Sequence, residues 1–422
     1  MTTIPAGAGE KMQYIVHDFN DNTIRFVLRY PGQLQADLLR QAVFAIVSRI
    51  DVLHASFAAD KRDAHWQVNA VRPEDCFTLV SVPGDPTDAA LTQALQPITA
   101  DSPVQMRCVL VQGAEDCAVV VLISHLCADG SDGKYLLHKL CEAYNLLLER
   151  GSCGALAVKN GSRAVEQVYS YLSKQELRKL MRDPRTGVKC VFPFPTEAEG
   201  QPAVLHRRIP AEVMSAAHDR VKGMNATIND LLLTACYYAY AAVTAASPDT
   251  PLSIMSMMDL RRHCDGGDSQ GLCNLTGALA TALPGGLCPT FADTLAAIAA
   301  QTRRSKEDPL AGLYGMPLLH GAANKLPMAL LLSVSSRVYG SMAVGLTNIG
   351  SMDSASLRLG DALPCAGWFG GPVKRKPGVQ VSAASFDGAC TLSLWSWAAE
   401  DDKPMLQRLL DGMADHVRKF SI

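Results

Sequence analysis

A continuous apolar run is the most distinctive pattern along the chain. Residues 119–123 are all aliphatic, and they lead through Ser124 into the segment His125-Leu126-Cys127-Ala128-Asp129-Gly130. An apolar run of this length, bounded by turn formers, is typical of a β-strand buried on both faces. From Lys134 to Leu148 the apolar residues instead repeat with a period near 3.6, which predicts a helix. The pattern therefore predicts that His125 lies at the end of a buried strand, before a turn and a helix.

Strand and helix patterns alternate through the rest of the first part of the chain. Period-2 or fully apolar stretches predict strands at Thr23 to Tyr30, Leu53 to Phe57, Phe77 to Val82 and Val104 to Val111. Amphipathic stretches predict helices at Leu34 to Ile50 and Thr87 to Leu95. Residues 151–163 are rich in Gly, Ser and Asn and have no apolar period, so we expect a linker there. This division predicts one domain over residues 1–155 and a second over 165–422.

The second part of the chain has the same mixed character. Predicted strands cover Ala203 to Ile209, Asn274 to Pro284, Met342 to Ile349, Val379 to Ser385 and Cys390 to Trp397. Predicted helices cover Thr290 to Lys306, Met328 to Tyr339 and Pro404 to Phe420. A further helix should begin after Thr227, a suitable N-cap with Asp230 three residues later. Its apolar stretch, Leu231 to Ala246, has 16 residues and is shorter than a membrane span, which favours a buried helix.

Composition excludes several classes of protein. The chain has 422 residues, 48% of them apolar and 19% charged, which is a globular balance. A net charge of −2 gives no overall attraction to nucleic acid or to a membrane surface. The 13 cysteines are odd in number and lack metal-ligand spacing, which argues against a disulfide framework and a zinc site. Residues 1–10 show no signal-peptide pattern, so we expect a cytoplasmic protein without stable membrane insertion.

His125 and Asp129 are the strongest candidates for chemistry. Histidine is the side chain best suited to exchange a proton near pH 7, and a strand end would hold it rigidly. Asp129 can fix the following turn or pair with a cation, and Gly130 tolerates the positive φ that a sharp entry into a helix can require. A structural histidine at a strand end is the alternative. Cys127 lacks a positive neighbour apart from His125, so we expect it to pack as a small buried side chain.

The segment from His125 to Gly130 resembles the H-x-x-x-D-G motif of the chloramphenicol-acetyltransferase-like superfamily. That superfamily includes condensation domains of peptide synthetases, alcohol acetyltransferases and wax-ester synthase-like enzymes. Weaker similarities follow in the family's order over nearly the whole chain, among them Met258-Asp259-Leu260-Arg261 and Thr347-Asn348-Ile349-Gly350.

The resemblance implies both a fold and an activity. The fold would be α+β, with two similarly built domains whose mixed sheets meet at a central tunnel. The activity would be acyl transfer from acyl-CoA, or from acyl-pantetheine on a carrier protein, to a small alcohol or amine acceptor. His125 would act as the general base, Asp129 would orient its loop, and Thr347 and Asn348 would contact the substrate. No permanently bound cofactor or metal is implied.

Two details leave the resemblance incomplete. Where condensation domains place an arginine that pairs with the motif aspartate, this chain has His54, so the partner of Asp129 is open. The densest basic run, Lys374-Arg375-Lys376, favours a solvated loop, with an anchor for the phosphates of coenzyme A or pantetheine as the alternative.

Two other functional classes compete with acyl transfer. Gly267-Asp268-Ser269-Gln270-Gly271 fits the G-x-S-x-G nucleophile elbow of serine hydrolases. That elbow needs an apolar strand directly before it, whereas residues 261–266 are charged and typical of a loop. The second alternative is a non-catalytic, condensation-like module that binds or docks a carrier protein. The presence of both His125 and Asp129 weighs against it.

Overall fold

The computed structural model describes residues 2–181, 190–339 and 344–422. The first part of the chain alternates short strands and helices, as its apolar patterns predict. Its strands are β1 (Thr3–Pro5), β2 (Thr23–Pro31), β3 (Ala55–Ala59), β4 (Ala64–Val68), β5 (Phe77–Ser81), β6 (Met106–Gln112) and β7 (Asp116–Ser124). Its helices are α1 (Ala8–Tyr14), α2 (Ala36–Val47), α3 (Pro73–Cys76), α4 (Thr87–Ala94), α5 (Gly130–Arg150) and α6 (Lys174–Leu180).

The second part begins with a strand and ends with an amphipathic helix. Its strands are β8 (Gln201–Ile209), β9 (Leu252–Asp259), β10 (Thr276–Leu283), β11 (Val344–Met352), β12 (Ala366–Gly370), β13 (Val379–Phe386) and β14 (Ala389–Ala398). Its helices are α7 (Ala211–Gly223), α8 (Ile228–Thr244), α9 (Phe291–Glu307), α10 (Met316–Lys325), α11 (Met328–Tyr339) and α12 (Lys403–Ser421).

The two large sheets of the α+β fold are built alike. The five-stranded sheet has the order β12-β2-β7-β6-β5, and the six-stranded sheet has the order β8-β14-β13-β11-β9-β10. Each sheet contains an antiparallel hairpin, β6–β7 or β13–β14. The first strand of the hairpin also pairs in parallel with a further strand, so β6 pairs with β5 and β13 pairs with β11. On the other side of the hairpin, an antiparallel strand, β2 or β8, pairs with it. This correspondence confirms the expectation of two similar mixed sheets.

Strand β7 lies inside its sheet, with β2 on one side and β6 on the other. Every residue of β7 after Asp116 is buried, which confirms the strand buried on both faces. Helix α5 begins directly after Asp129, whose carboxylate accepts hydrogen bonds from the backbone N–H groups of Ser131 and Asp132. Those N–H groups would otherwise lack partners in the first turn of the helix. The strand, its turn and the capped helix together fix the position of His125.

Several predicted elements differ from the observed ones. Asp51–His54 forms a 3₁₀ turn, so the strand predicted from Leu53 begins only at Ala55. Strands β1, β4 and β12 and the short helices α1, α3, α6 and α10 are absent from the sequence prediction. These elements span three to ten residues, too few for a clear periodic signal. The predicted strand start at Met342 lies outside the described residues.

Strand β12 joins the two parts of the molecule. Although it follows β11 along the chain, it pairs antiparallel with β2, so Trp368 lies opposite Val27 in the first sheet. The boundary between residues 155 and 165 stays a prediction, and the sheets show that structure crosses it. Within the described ranges, none of the helices has the length and apolar character needed to span a membrane.

Candidate functional site

A cavity of ≈ 720 Å³ opens between the two parts of the molecule, and both parts line it. The first part contributes the end of β7 and the start of α5, including His125 and Lys134. The second part contributes β9, β10, β11 and the segment between β12 and β13. Much of the wall is apolar and rich in methionine, with Met12, Met255, Met257, Met258 and Met316. Methionine side chains are flexible and polarizable, so this wall can adapt to apolar substrates of different shape.

The ring of His125 is oriented by its own loop. Its Nδ1 lies 2.8 Å from the carbonyl oxygen of Ala128, and its backbone N–H donates to the carbonyl of Asn22 at 2.7 Å. A carbonyl oxygen can only accept, so Nδ1 must carry the hydrogen and donate it. In the neutral ring the lone pair is therefore on Nε2. No hydrogen bond of Nε2 to any described residue is present, so this nitrogen is available to a ligand in the cavity.

Asn274 lies beside the same ring. Its Nδ2 is 3.1 Å from Nδ1 of His125 and donates to Oε1 of Gln13 at 3.2 Å. With the hydrogen on Nδ1, two donors would face each other at the first contact, so we regard it as packing and not as a hydrogen bond. Asn274 comes from the chain just before β10, so the second part of the molecule contacts the histidine directly.

Burial lowers the pKa of His125 below its ordinary value of 6.5. Asp129 and the carbonyl of Ala128 act in the opposite direction, and Lys374 lowers the pKa further. Loss of water disfavours the charged imidazolium, and a nearby cation does the same. His125 is therefore neutral at pH 7, which is the protonation state that a general base requires.

The carboxylate of Asp129 connects the His125 loop to α5 and to the second part of the molecule. The residue is 2% exposed, and its carboxylate accepts four hydrogen bonds. Two come from the N-terminal turn of α5, one from the backbone N–H of Leu275 at 2.8 Å, and one from Nη1 of Arg261 at 2.7 Å. Arg261 is thus the cation whose identity the sequence left open. His54 instead contacts the carbonyl of Asn69 at 2.9 Å through Nδ1, so it does not replace the expected arginine.

Arg261 connects several acidic groups at the seam between the two parts. Its Nη2 lies 2.9 Å from Oδ1 of Asp132, and its Nη1 lies 3.2 Å from Oδ1 of Asp259. Burial raises the pKa of Asp132 to about 8, with a further contribution from Asp129, although Arg261 opposes both. Ser131 adds a second tie across the seam, since its hydroxyl donates to Asp259 at 2.5 Å. These contacts hold the loop of His125 against the second part of the molecule.

Thr347 and Asn348 line the same cavity from β11, and their contact with a substrate stays a prediction. The Asn348 amide is already engaged: Oδ1 accepts from the backbone N–H of Gly350 at 2.9 Å, and Nδ2 donates to Asn229 at 3.3 Å. Gly130 is the first residue of α5 and does not have a positive φ, so that expectation is wrong. A Cβ at Gly130 would lie 3.5 Å from Ile349, an ordinary contact distance. The glycine thus lies at the junction of α5 with β11.

The comparison with known proteins finds solved structures that are similar to this chain. No family model and no curated protein sequence matches the chain. The first condensation domain of the CDA synthetase has a TM-score of 0.71 and 13% identity, over 100% of this chain and 97% of that chain. The condensation domain of the Monacolin K polyketide synthase MokA has a TM-score of 0.68 and 16% identity, over 100% and 98%. TRI3 trichothecene 15-O-acetyltransferase from Fusarium sporotrichioides has a TM-score of 0.68 and 11% identity, over 98% and 95%.

The chain has the condensation-domain fold. The match extends over almost the full length of each chain, so it includes both large sheets. At 11–16% identity it shows the fold and leaves the reaction to be argued from the side chains.

The basic run is not a solvated loop in this condensation-domain fold. Arg375 forms an ion pair with Glu199 and stacks 4.2 Å from the Trp397 ring centre. Lys376 contacts the buried carboxylate of Asp402 at 2.6 Å. Lys374 instead lines the cavity, where burial lowers its pKa to about 8. The three cations therefore have separate surroundings.

Neither competing nucleophile has the surroundings that its chemistry needs. Ser269 is buried, and its hydroxyl accepts from Nε of Arg261 at 3.2 Å. The chain before it forms 3₁₀ turns at Leu260–His263 and Asp265–Gly267, where an elbow would need a strand. Cys127 is fully buried, and burial raises the pKa of its thiol to about 12. The side chain packs in the core, as expected.

Sequence reasoning missed three residues around His125. Arg261 was visible only as part of a family-like strand end, Asn274 only as the start of a strand, and Lys374 only as one member of a basic run. A signal was present for Arg261, because an Asp-Leu-Arg strand end supplies a cation beside a motif that contains an aspartate. No local pattern indicates that Asn274 or Lys374 reaches the cavity.

Proposed function

We propose that the protein is an acyltransferase that moves an acyl group from a thioester to the hydroxyl or amine of a small acceptor. One observation supports this proposal above the others: Nε2 of His125 has no hydrogen bond to any described residue, and His125 lines a cavity walled by both parts of the molecule. A single base on a cavity that both parts of the molecule line suits a reaction between two substrates.

The proposed reaction is a direct transfer. Nε2 of His125 takes the proton from the acceptor as its oxygen or nitrogen attacks the thioester carbonyl. The tetrahedral intermediate collapses with cleavage of the C–S bond, and the imidazolium returns the proton to the leaving thiolate. The products are an ester or amide and a free thiol. General-base assistance of this kind accelerates a reaction roughly 10²- to 10⁴-fold.

The negative charge on the intermediate's oxygen needs a donor in the cavity. Thr347 is our candidate, since it lines the cavity beside Asn348 and its hydroxyl has no hydrogen bond to any residue in the described ranges. A donor fixed in place before reaction stabilises developing charge without reorganisation. Asp129 remains a positioning residue, because its carboxylate oxygens already accept four hydrogen bonds.

The donor is proposed to be acyl-CoA or acyl-pantetheine on a carrier protein. Both present a thioester at the end of a narrow arm, which matches a cavity with a largely apolar wall. The similar structures do not choose between the acceptors. One is named as a 15-O-acetyltransferase and others as condensation domains of synthases. Alcohols and amines therefore both belong in the test.

The decisive experiment measures thiol release from acyl-CoAs of several chain lengths with a panel of alcohols and amines. His125→Ala should fold and lose at least about a hundredfold in turnover, because Nε2 is removed. His138→Ala is the matched control, since His138 lies further along α5 and contacts Ser356 at 3.3 Å. It should keep wild-type turnover.

Two outcomes would contradict the proposal. A folded His125→Ala protein with near wild-type turnover would exclude His125 as the base. If the wild type releases no thiol with either acyl-CoA or acyl-carrier donors, the protein is better described as a condensation-like binding module.

A further inference from the structure

Lys374 is a cation in the cavity for which the described residues supply no hydrogen-bonded counter-ion. Its backbone is fixed at the seam: its N–H donates to Trp395 at 3.0 Å, and its carbonyl accepts from Trp397 at 2.8 Å. It also forms an isolated β-bridge with Asn20 from the first part of the chain. Its ammonium group has no hydrogen bond or ion pair with any residue in the described ranges, and the residue lines the cavity.

Each of the other charged residues that the structure describes on the cavity wall has a hydrogen-bond or ion-pair partner. Besides Lys374, the charged residues among the described lining positions are Asp129, Lys134, Asp259 and Arg375. The two aspartates contact Arg261 at 2.7 Å and 3.2 Å. Lys134 donates to the carbonyls of Ile349 and Ser351 at 3.1 and 3.2 Å, and Arg375 pairs with Glu199. Within this set, Lys374 alone lacks a described partner.

The acid whose charge acts on Lys374 does not neutralise it. Asp21 raises the pKa of Lys374, but its carboxylate is already paired with Arg25 and accepts from the backbone N–H of Val373 at 3.0 Å. Burial has the larger effect and lowers that pKa to about 8, so the ammonium is still mostly protonated at pH 7. Lys374 is only partly exposed to water, and a partly desolvated charge without a partner is costly, so a ligand that supplies the opposite charge recovers that cost.

Lys374 also lies within electrostatic range of the proposed base. The same ammonium lowers the pKa of His125, so the two groups share one region of the cavity. An anion bound to Lys374 would therefore lie within electrostatic range of His125, in the same cavity as the reacting carbonyl. The phosphates of a coenzyme A donor are at the opposite end of the pantetheine arm from the thioester, so they do not suit this position.

We infer that one of the two substrates carries a carboxylate and that Lys374 binds it. The inference rests on the proposed acyl transfer and names its substrate class: either the acyl group is that of a dicarboxylic acid, or the acceptor is a hydroxy or amino acid. A lysine–carboxylate contact in a desolvated site is a charge-assisted hydrogen bond, stronger than a neutral one.

Two matched pairs of substrates separate the possible sources of the carboxylate. Glutaryl-CoA is compared with its monomethyl ester as the donor, and 6-hydroxyhexanoate and 6-aminohexanoate are compared with their amides as acceptors. The wild type should favour the acid in one pair by at least about tenfold in kcat/KM. Lys374→Met should reduce that ratio to about twofold or less, whereas Lys374→Arg should keep it.

A second cavity lysine provides the control. Lys134→Met also removes a cation from the wall, but Lys134 is engaged by two carbonyl groups and should keep the acid preference even if total turnover falls. Binding of the same acids and amides, measured by calorimetry on wild type and Lys374→Met, gives a readout that does not depend on turnover.

The outcomes distinguish this inference from the proposed function. If the wild type transfers neutral and acidic substrates equally, acyl transfer stands and the inference is wrong. If Lys374→Met slows both members of each pair by the same factor and moves the acid limb of the pH profile upward, Lys374 only tunes His125, and the inference is again wrong. If thiol is never released, tighter binding of the acids by wild type than by Lys374→Met would support the inference, and equal binding would overturn it.

Discussion

His125 enters the cavity with one ring nitrogen already bonded, and this contact determines which proton it can exchange. The Ala128 carbonyl holds the hydrogen on Nδ1 and leaves the lone pair on Nε2. The same loop also contains Asp129, whose bonds to Arg261 and α5 keep the carbonyl of Ala128 in place. In the proposed mechanism, the tautomer of the base therefore depends on a carboxylate that does not itself transfer a proton.

The acid limb of the pH profile should reflect the environment of His125. Burial lowers the pKa of this imidazole below 6.5, and a general base works only when neutral. Activity should therefore be present at pH 7 and fall only as the pH drops through a value below 6.5. The measurement is kcat/KM for thiol release between pH 5 and 8. An acid limb centred at or above 6.5 would show that burial does not control the base.

Replacement of Asp129 should reduce stability as well as rate. Asp129→Ala removes the N-cap of α5 and the carboxylate at 2.7 Å from Arg261, leaving buried donors unpaired. We expect a loss of at least about 2 kcal/mol in the free energy of unfolding, because each unpaired buried donor costs about 1–3 kcal/mol and a lost cap costs about 1. Urea denaturation checks the value.

Asp415→Ala is the matched control for Asp129→Ala. Asp415 forms an exposed ion pair with Arg418 on α12, and exposed pairs contribute little to stability. Its unfolding should be close to that of the wild type. If Asp129→Ala unfolds like the wild type and loses only activity, Asp129 takes part in the chemistry and is not a positioning residue.

Strand β11 should control which donors can reach His125. Gly345 lines the cavity, and a Cβ at this position would lie 3.5 Å from the Met255 carbonyl and 3.7 Å from Gln380, both ordinary contact distances. Gly345→Val should therefore fold, while its added methyl groups occupy space in the cavity. We expect transfer from a long acyl donor to fall more than transfer from a short one.

The test pairs the melting temperature with thiol release from short and long acyl-CoAs. Gly345→Ala adds a single methyl group and should have a smaller effect in the same direction. If both donors react with Gly345→Val as they do with the wild type, β11 does not line the path of the donor.

The two parts of the molecule should unfold together. Strand β12 comes from the second part yet pairs with β2, and the ion pair between Arg261 and Asp129 crosses the same seam. If one part unfolded alone, the other part would lose these contacts: β2 would lose its partner strand β12, and one member of the buried Arg261–Asp129 ion pair would lose its counter-ion. Because these contacts are shared, we expect one cooperative transition for the whole chain.

Single-tryptophan variants can follow each part separately. Trp66 reports on the first part, whereas Phe420→Trp puts the reporter in the core of the second part, and both positions are buried. With the other tryptophans replaced by phenylalanine, fluorescence of each should give the same urea midpoint. Two distinct midpoints would show that the sheets are independent units.

Local sequence patterns were sufficient to predict the strand and the helix on either side of the His125–Gly130 segment. The apolar run before His125, the helical period from Lys134 and the capping pair Thr227–Asp230 all depend on residues close together in sequence. Hydrophobic period and capping chemistry act over one or two turns or a single strand, so the sequence is informative at that range. The resemblance around His125 also depends on residues that are close together in the sequence, so it predicted the fold before any long-range contact was known.

Long-range contacts were decided only by the tertiary structure. Arg261 meets Asp129 across 132 positions of the chain, and β12 pairs with a strand more than 300 positions earlier. Lys374 reaches the cavity through backbone contacts to Asn20 and Ser396. Such pairings depend on how whole sheets pack, and a periodic pattern specifies which face of an element is buried but not what it is buried against. The sequence therefore determined which histidine to consider, and the packing determined which charges surround it.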